Sequence, residues 1–295
     1  MAERASAEDA SVSASGHENP VPRLGTDAFD YPFDESLIAQ RPLPERDASR
    51  LLVVRRSDST YEDKSFTDIV QLVSAGDVLV LNETRVIPAR LVGRKPTGAA
   101  AELLLVEPLD ADQLRWRALV RPGGKLKPGR VVRVGDDLEV QIEDSVPGGA
   151  RIVRLLTPLS GDEAIARYGH VPLPPYIRRE DDEGDRSRYQ TVFARERGSV
   201  AAPTAGLHFT DRVLTGIEAR GVDIAKLTLH VGPGTFRPVE VSDPAAHRLD
   251  AERFRVGEEA AALVNRCRER GGKIWAVGST TVRSLEAVAE ADGYV

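Results

Sequence analysis

The residues best suited to do chemistry crowd into one stretch, residues 200–239, VAAPTAGLHFTDRVLTGIEARGVDIAKLTLHVGPGTFRPV. It carries two imidazoles, His208 and His230, with several hydroxyls and two Gly/Pro-rich loops around a short helix and a strand. Pro203-Thr204-Ala205-Gly206-Leu207-His208 runs into the helix start, and His230 ends the strand before Gly232-Pro233-Gly234-Thr235. An imidazole beside a helix N-terminus feels the positive end of the dipole, which disfavours its protonated form. A neutral ring accepts a proton, so His208 is a candidate base; the competing reading is a loop histidine hydrogen-bonded to backbone.

Three further clusters have site-like placement. Asn82-Glu83-Thr84-Arg85 follows the apolar run Asp77-Val78-Leu79-Val80-Leu81, where α/β proteins build sites, although a plain turn has the same composition. Gly278-Ser279-Thr280-Thr281 joins a strand to a helix and offers backbone N–H groups and three hydroxyls to an anion or nucleotide. It lacks the lysine of a P-loop and the three glycines of a dinucleotide fingerprint. Arg283, one turn in, suits a carboxylate or phosphate, or is a surface arginine. The most basic loop, residues 121–130 (RPGGKLKPGR), reads as solvated charge or as an RNA phosphate contact.

These residues need elements to hold them. Thr210 or Asp211 caps a helix with Val213, Leu214 and Ile217 on its apolar side and Gly221 as its stop, and a strand pattern runs from Val222 to Val231. A short helix is expected over residues 67–75 and a buried strand over 77–81. Ser160-Gly161-Asp162-Glu163 is a capping box for a helix to about Tyr168. Residues 258–270 read as an amphipathic helix, 273–277 as a strand and 281–291 as a helix. Between residues 86 and 157 the texture changes to short strands with a turn signal about every ten residues, which predicts a small antiparallel β-barrel. The expected fold is α/β, a larger α/β domain (residues 27–85 and 158–295) interrupted by an inserted β-barrel domain (86–157). Residues 1–26 are Ala/Ser/Glu-rich and expected to be a disordered tail.

Composition narrows the function classes. Hydrophobic residues at 41% and charged residues at 29% are those of an ordinary soluble protein, and no run approaches the roughly 20 apolar residues of a membrane span. The single Cys267 excludes an internal disulfide and a cysteine zinc site, and the five histidines show no HxxxH or HExxH spacing. No metal, no membrane and a cytoplasmic location are expected. The net charge of −6 argues against bulk nucleic-acid binding and leaves room for a local basic patch.

Taken together, several strings resemble the S-adenosylmethionine:tRNA ribosyltransferase-isomerases of queuosine biosynthesis: FDYPFDESLIAQRPLPERDASRLLVV, GDVLVLNETRVIPARL, GHVPLPPYIRRED, DRSRYQTVFARERGSVAAPTAGLHFT, TLHVGPGTFRPV and AVGSTTVRSLE. They run from Phe29 to the end in the family's order, with Glu83, Pro233 and Ser279 as small departures. The resemblance also implies a further C-terminal segment with an Asn-Phe-His-Leu-Pro stretch, which this chain is expected to lack. It implies transfer of the ribosyl part of S-adenosylmethionine, a co-substrate rather than a permanently bound cofactor. The acceptor is 7-aminomethyl-7-deazaguanine at the tRNA wobble position; the ribose is rearranged to an epoxycyclopentanediol, and adenine and methionine leave. Such chemistry needs a base beside the sulfonium, an acid for adenine and a dry cleft. Placed on this sequence, His208 and His230 are the expected catalytic pair, with His208 the base. Thr204, Thr280 and Thr281 are expected on ribose hydroxyls or the methionine part, and Arg283 on the methionine carboxylate. Asn82, Arg85 and Arg237 are expected near the tRNA base or ribose. A monomer is expected. The rivals are a methyltransferase-like α/β enzyme, betrayed by methylated product without free adenine, and a non-catalytic RNA-binding protein, betrayed by tRNA binding without affinity for S-adenosylmethionine.

Overall fold

The computed structural model describes residues 24–236, 238–290 and 293–295. Most of the expected N-terminal tail and Arg237 therefore lie outside the described residues. The chain divides into two compact units, residues 1–33 with 238–248, and residues 34–237 with 249–295. In the described part of the smaller unit, the Thr26 amide donates to the Ser242 carbonyl at 2.9 Å and the Thr26 hydroxyl to that of Val241 at 3.1 Å.

The larger unit opens with a hairpin, β1 (Arg50–Arg55) and β2 (Thr60–Ser65). A capped turn at Phe66–Asp68 leads into the single-turn α1 (Ile69–Leu72), shorter than expected because the chain turns extended at Val73. Next comes β3 (Val78–Asn82), every residue of which is buried. It pairs in parallel with β12 (Asp223–Leu229) on one side and β14 (Ile274–Ala276) on the other, and β13 (Phe254–Arg255) adds antiparallel to β12. A continuous apolar run is what a parallel strand covered on both faces requires. Alternation divides its side chains: Leu79 and Leu81 join Phe209, Val213 and Ile217 of the α4 (Asp211–Glu218) side. Val78 and Val80 meet Ala260, Val264 and Cys267 of α5 (Glu258–Glu269). At the sheet's start the Asp77 carboxylate accepts from the Ser74 and Lys273 amides and the Trp275 indole. Burial raises its pKa, but these donors outweigh burial and hold it below the usual carboxylate range.

Beyond β4 (Thr84–Val86) the chain enters a closed antiparallel barrel of β5 (Arg90–Arg94), β6 (Ala100–Pro108), β7 (Arg115–Arg121), β8 (Val131–Arg133), β9 (Glu139–Ser145) and β10 (Arg151–Leu156). The expected α/β fold with a small antiparallel barrel is what the chain adopts. Inward residues such as Leu91, Leu103, Leu105, Trp116, Val140 and Val153 fill the barrel, and closure leaves it no free sheet edge. The chain then forms α2 (Gly161–Tyr168), with the Ser160/Glu163 capping box expected from the sequence. After the Pro-rich crossing and α3 (Asp185–Arg188), β11 (Glu196–Ser199) pairs in parallel with β4. The last helix, α6 (Ser279–Val288), begins two residues earlier than expected, directly at the hydroxyl-rich loop.

Candidate active site

Two Pro-rich segments that carry no periodic pattern build the wall of a cavity of about 500 Å³. One is residues 39–49, the other 173–189, and Thr204, Leu207 and His208 complete the lining. Hydrogen bonds staple the segments together. The Gln40 amide donates to the Tyr176 carbonyl at 3.1 Å and accepts from the Arg178 amide at 2.6 Å, and Arg179 Nε donates to the Gln40 carbonyl at 2.9 Å. Arg46 donates to the Ser187 and Arg188 carbonyls, and Arg188 to that of Leu43. Asp185 receives a bidentate pair from Arg179 at 2.6 and 2.8 Å, which holds its carboxyl below the usual range. The walls are thus held rigid by charge-assisted and backbone bonds, while Pro42, Leu43, Leu173, Pro174 and Ile177 keep them apolar.

His208 ends a 3-10 turn, Thr204–His208, that precedes α4, whose cap is Thr210. Its Nδ1 lies 2.8 Å from Ser49 Oγ, and its ring is tilted over Phe66 with centroids 5.3 Å apart. Partial burial lowers its pKa below the ordinary histidine value, opposed by the hydrogen bond the ring gives to the Arg46 backbone. Partial burial thus acts in the direction expected from the sequence, favouring the neutral imidazole. The buried Asp47 explains how Ser49 comes to lie there. Its carboxylate accepts from the Thr210 hydroxyl and from Arg212, each at 2.8 Å, which pins the Arg46–Ala48 turn to the start of α4.

A second network closes the C-terminal ends of the strands. The Asn82 amide, 1% exposed, donates to the Leu229 carbonyl at 3.0 Å and the Thr280 hydroxyl at 3.2 Å, and its carbonyl oxygen accepts from the Thr84 and Leu229 amides. His230 Nδ1 lies 2.8 Å from Thr84 Oγ1. Burial and the Arg253 charge lower its pKa, opposed by Glu196. Gly198 lies flat against its ring: a Cβ there would sit 3.0–3.2 Å from the ring atoms, and φ is +143°. Thr281, fully buried, donates to the Val277 carbonyl at 2.8 Å. Arg283 is paired with Glu252, whose other oxygen accepts from the Gly232 amide at 2.9 Å. The two networks meet where Gly278, at φ +88°, packs on Ala205; a Cβ added there would stand 3.4 Å from the Ala205 Cβ.

Of the residues singled out from the sequence, Thr204 and His208 line the large cavity. His230, Asn82, Thr280, Thr281 and Arg283 belong to the strand-end network instead, and Arg85 lines a separate, smaller pocket. Ser49, Asp47, Glu252 and Tyr189 were not singled out. Ser49 and Asp47 stand in a string, PERDASRLL, that carries the family resemblance, which is the signal that marks them. Among the described residues no group of three His, Cys, Asp or Glu is placed to hold a metal ion, and no helix is long and apolar enough to cross a membrane.

The sequence model of the family described as queuosine biosynthesis protein matches residues 26–294. The chain belongs to that family. A queuosine biosynthesis relative, the S-adenosylmethionine:tRNA ribosyltransferase-isomerase of Symbiobacterium thermophilum, is 49% identical over 269 residues, 90% of this chain and 78% of that protein. The protein of the same name from Pelotomaculum thermopropionicum is 50% identical over the same shares of the two chains. A crystal structure of S-adenosylmethionine tRNA ribosyltransferase from Thermotoga maritima is 33% identical, with 89% of this chain and 73% of that one covered and a TM-score of 0.42.

Proposed function

We propose that this chain is an S-adenosylmethionine:tRNA ribosyltransferase-isomerase. It transfers and isomerises the ribosyl moiety of S-adenosylmethionine onto 7-aminomethyl-7-deazaguanine at the tRNA wobble position. The products are epoxyqueuosine-tRNA, adenine and methionine. Relatives of that name at about half identity support the reading. The structural observation that carries it is the half-buried His208, oriented by Ser49, on the wall of a rigid and largely apolar cavity.

In this reading His208 removes the proton beside the sulfonium. The apolar walls withhold the water that would otherwise solvate the cation and compete for the proton. Thr204 offers a hydroxyl to the ribose. Asn82, Thr280, Thr281 and Arg283, with His230, act one step back: Arg283 holds the Gly232 amide through Glu252, and the others tie the strand ends to the start of α6. Arg85 stands on the tRNA side. S-adenosylmethionine is consumed rather than retained, and the protein works as a cytoplasmic monomer built from an α/β domain with the barrel as its insert.

The test is incubation with S-adenosylmethionine and tRNA carrying 7-aminomethyl-7-deazaguanine, followed by mass spectrometry. Free adenine and methionine with a heavier tRNA nucleoside are expected. A methylated nucleoside without adenine would move the chain to the methyltransferase reading.

A further inference from the structure

The strand pair β4–β11 sets two like charges side by side. In its parallel register Arg85 stands opposite Arg197, and both side chains are exposed. Like charges on facing positions of a sheet are destabilising unless a counter-charge is supplied. Arg197 has only a half-exposed contact with Asp162, at 3.1 Å, and such surface pairs contribute about 0–1 kcal/mol. No described residue forms an ion pair or hydrogen bond with the Arg85 guanidinium. A third guanidinium, Arg186, is spent on neutral acceptors, the Ala166 and Gly169 carbonyls at the end of α2, at 2.8 and 2.7 Å.

These three arginines line one pocket of about 220 Å³. Its only carboxylate, Asp185, is already held by Arg179, so nothing acidic in the lining neutralises them. The walls are stiff: the Gln190 side chain bonds both the Val86 amide, at 3.0 Å, and the Val86 carbonyl, at 2.7 Å. The volume falls below the roughly 300–1,000 Å³ of sites that engulf a whole small molecule, which fits one anionic group of a larger ligand. Tyr189 and Asp185 line both this pocket and the cavity of His208, so the two openings share a wall.

We infer that Arg85, Arg197 and Arg186 form a phosphate site for the RNA backbone, which registers the tRNA beside the cavity that receives its base. The inference rests on the tRNA-modifying reading above. Guanidinium groups match phosphate oxygens in fork geometry, and bringing a phosphodiester here supplies the counter-charge that the strand register lacks. The contact gives position rather than sequence, because a phosphate is the same at every nucleotide.

Anisotropy titrations with labelled tRNA carrying 7-aminomethyl-7-deazaguanine, repeated at several salt concentrations, test it. Arg85→Ala and Arg197→Ala are each expected to weaken binding several-fold and to reduce the slope of log affinity against log salt by about one. Arg85→Lys is expected to keep the slope, and Arg55→Ala, on the β1–β2 hairpin, to leave it unchanged. Calorimetric binding of S-adenosylmethionine is expected to be the same in all four. Unchanged slopes in Arg85→Ala and Arg197→Ala, with wild-type circular dichroism and wild-type tRNA binding, would overturn the phosphate site alone. A wild-type protein that binds no tRNA at any salt would overturn the enzymatic reading with it.

Discussion

One hydroxyl and one aromatic ring decide what His208 does. Ser49 fixes the direction of Nδ1, and Phe66 with the cavity wall removes part of the water that would stabilise a charged ring. Because the folded pKa is lowered, the neutral form survives to more acidic pH than an ordinary histidine near 6.5 allows. The acid limb of kcat/KM is therefore expected below about pH 6.5. His208→Ala is expected to lower kcat by roughly 10²–10⁴ with little change in binding of S-adenosylmethionine, and Ser49→Ala to cost less, with Ser49→Thr restoring it. An acid limb above pH 7, or a His208→Ala enzyme with full turnover, would remove the base assignment. Asn82 is the opposite kind of residue, its amide wholly used inside the molecule. Asn82→Ala orphans the Thr84 and Leu229 amides and is expected to cost about 2–4 kcal/mol in urea unfolding. A loss confined to activity would mean instead that the side chain meets substrate.

Among elements, legibility followed periodicity. The barrel strands alternate and β3 is one apolar run, so each announced itself locally. The cavity did not, because its walls are Pro-rich segments without a period. Their meaning lies in contacts across long separations, such as Ser49 with His208 or Gln40 with Tyr176. The polar strand ends looked like sites from their composition, and Thr281 or Asn82 in a ligand pocket has the same sequence signature as Thr281 or Asn82 in a buried clamp. Between elements, β11 sets His230 through a glycine. Gly198→Ala places a methyl group against the imidazole in a backbone conformation that alanine rarely adopts, and is expected to displace the ring from Thr84. The His230 ring resonances in NMR check this; unshifted signals would show that the packing yields.

For the molecule as a whole, acid should act in two stages. Burial lowers the pKa of both His208 and His230, and the Arg253 charge adds to it at His230. The unfolded chain then binds more protons below about pH 6.5, and stability is lost as pH falls from there through the folded values. Asp47, Asp77 and Asp185, all held below the usual carboxylate range, are lost as partners only below about pH 4. Urea midpoints are expected to be flat above pH 7, to decline toward pH 5 and to fall again below pH 4; no change between pH 7 and 5 would contradict the histidine burial. The parallel pairing of β3 has a further consequence, for the order of events at the ribosome. Val78 meets Asp223 and Ile274, so the most apolar strand of the sheet leaves the exit tunnel long before either neighbour exists. At 5–20 residues per second that interval lasts roughly 7–30 s for β12 alone. The barrel, whose strands lie close together in the chain, is complete within that time. A nascent chain therefore carries a finished barrel behind a naked strand, and it is during those seconds that a chaperone has something to hold.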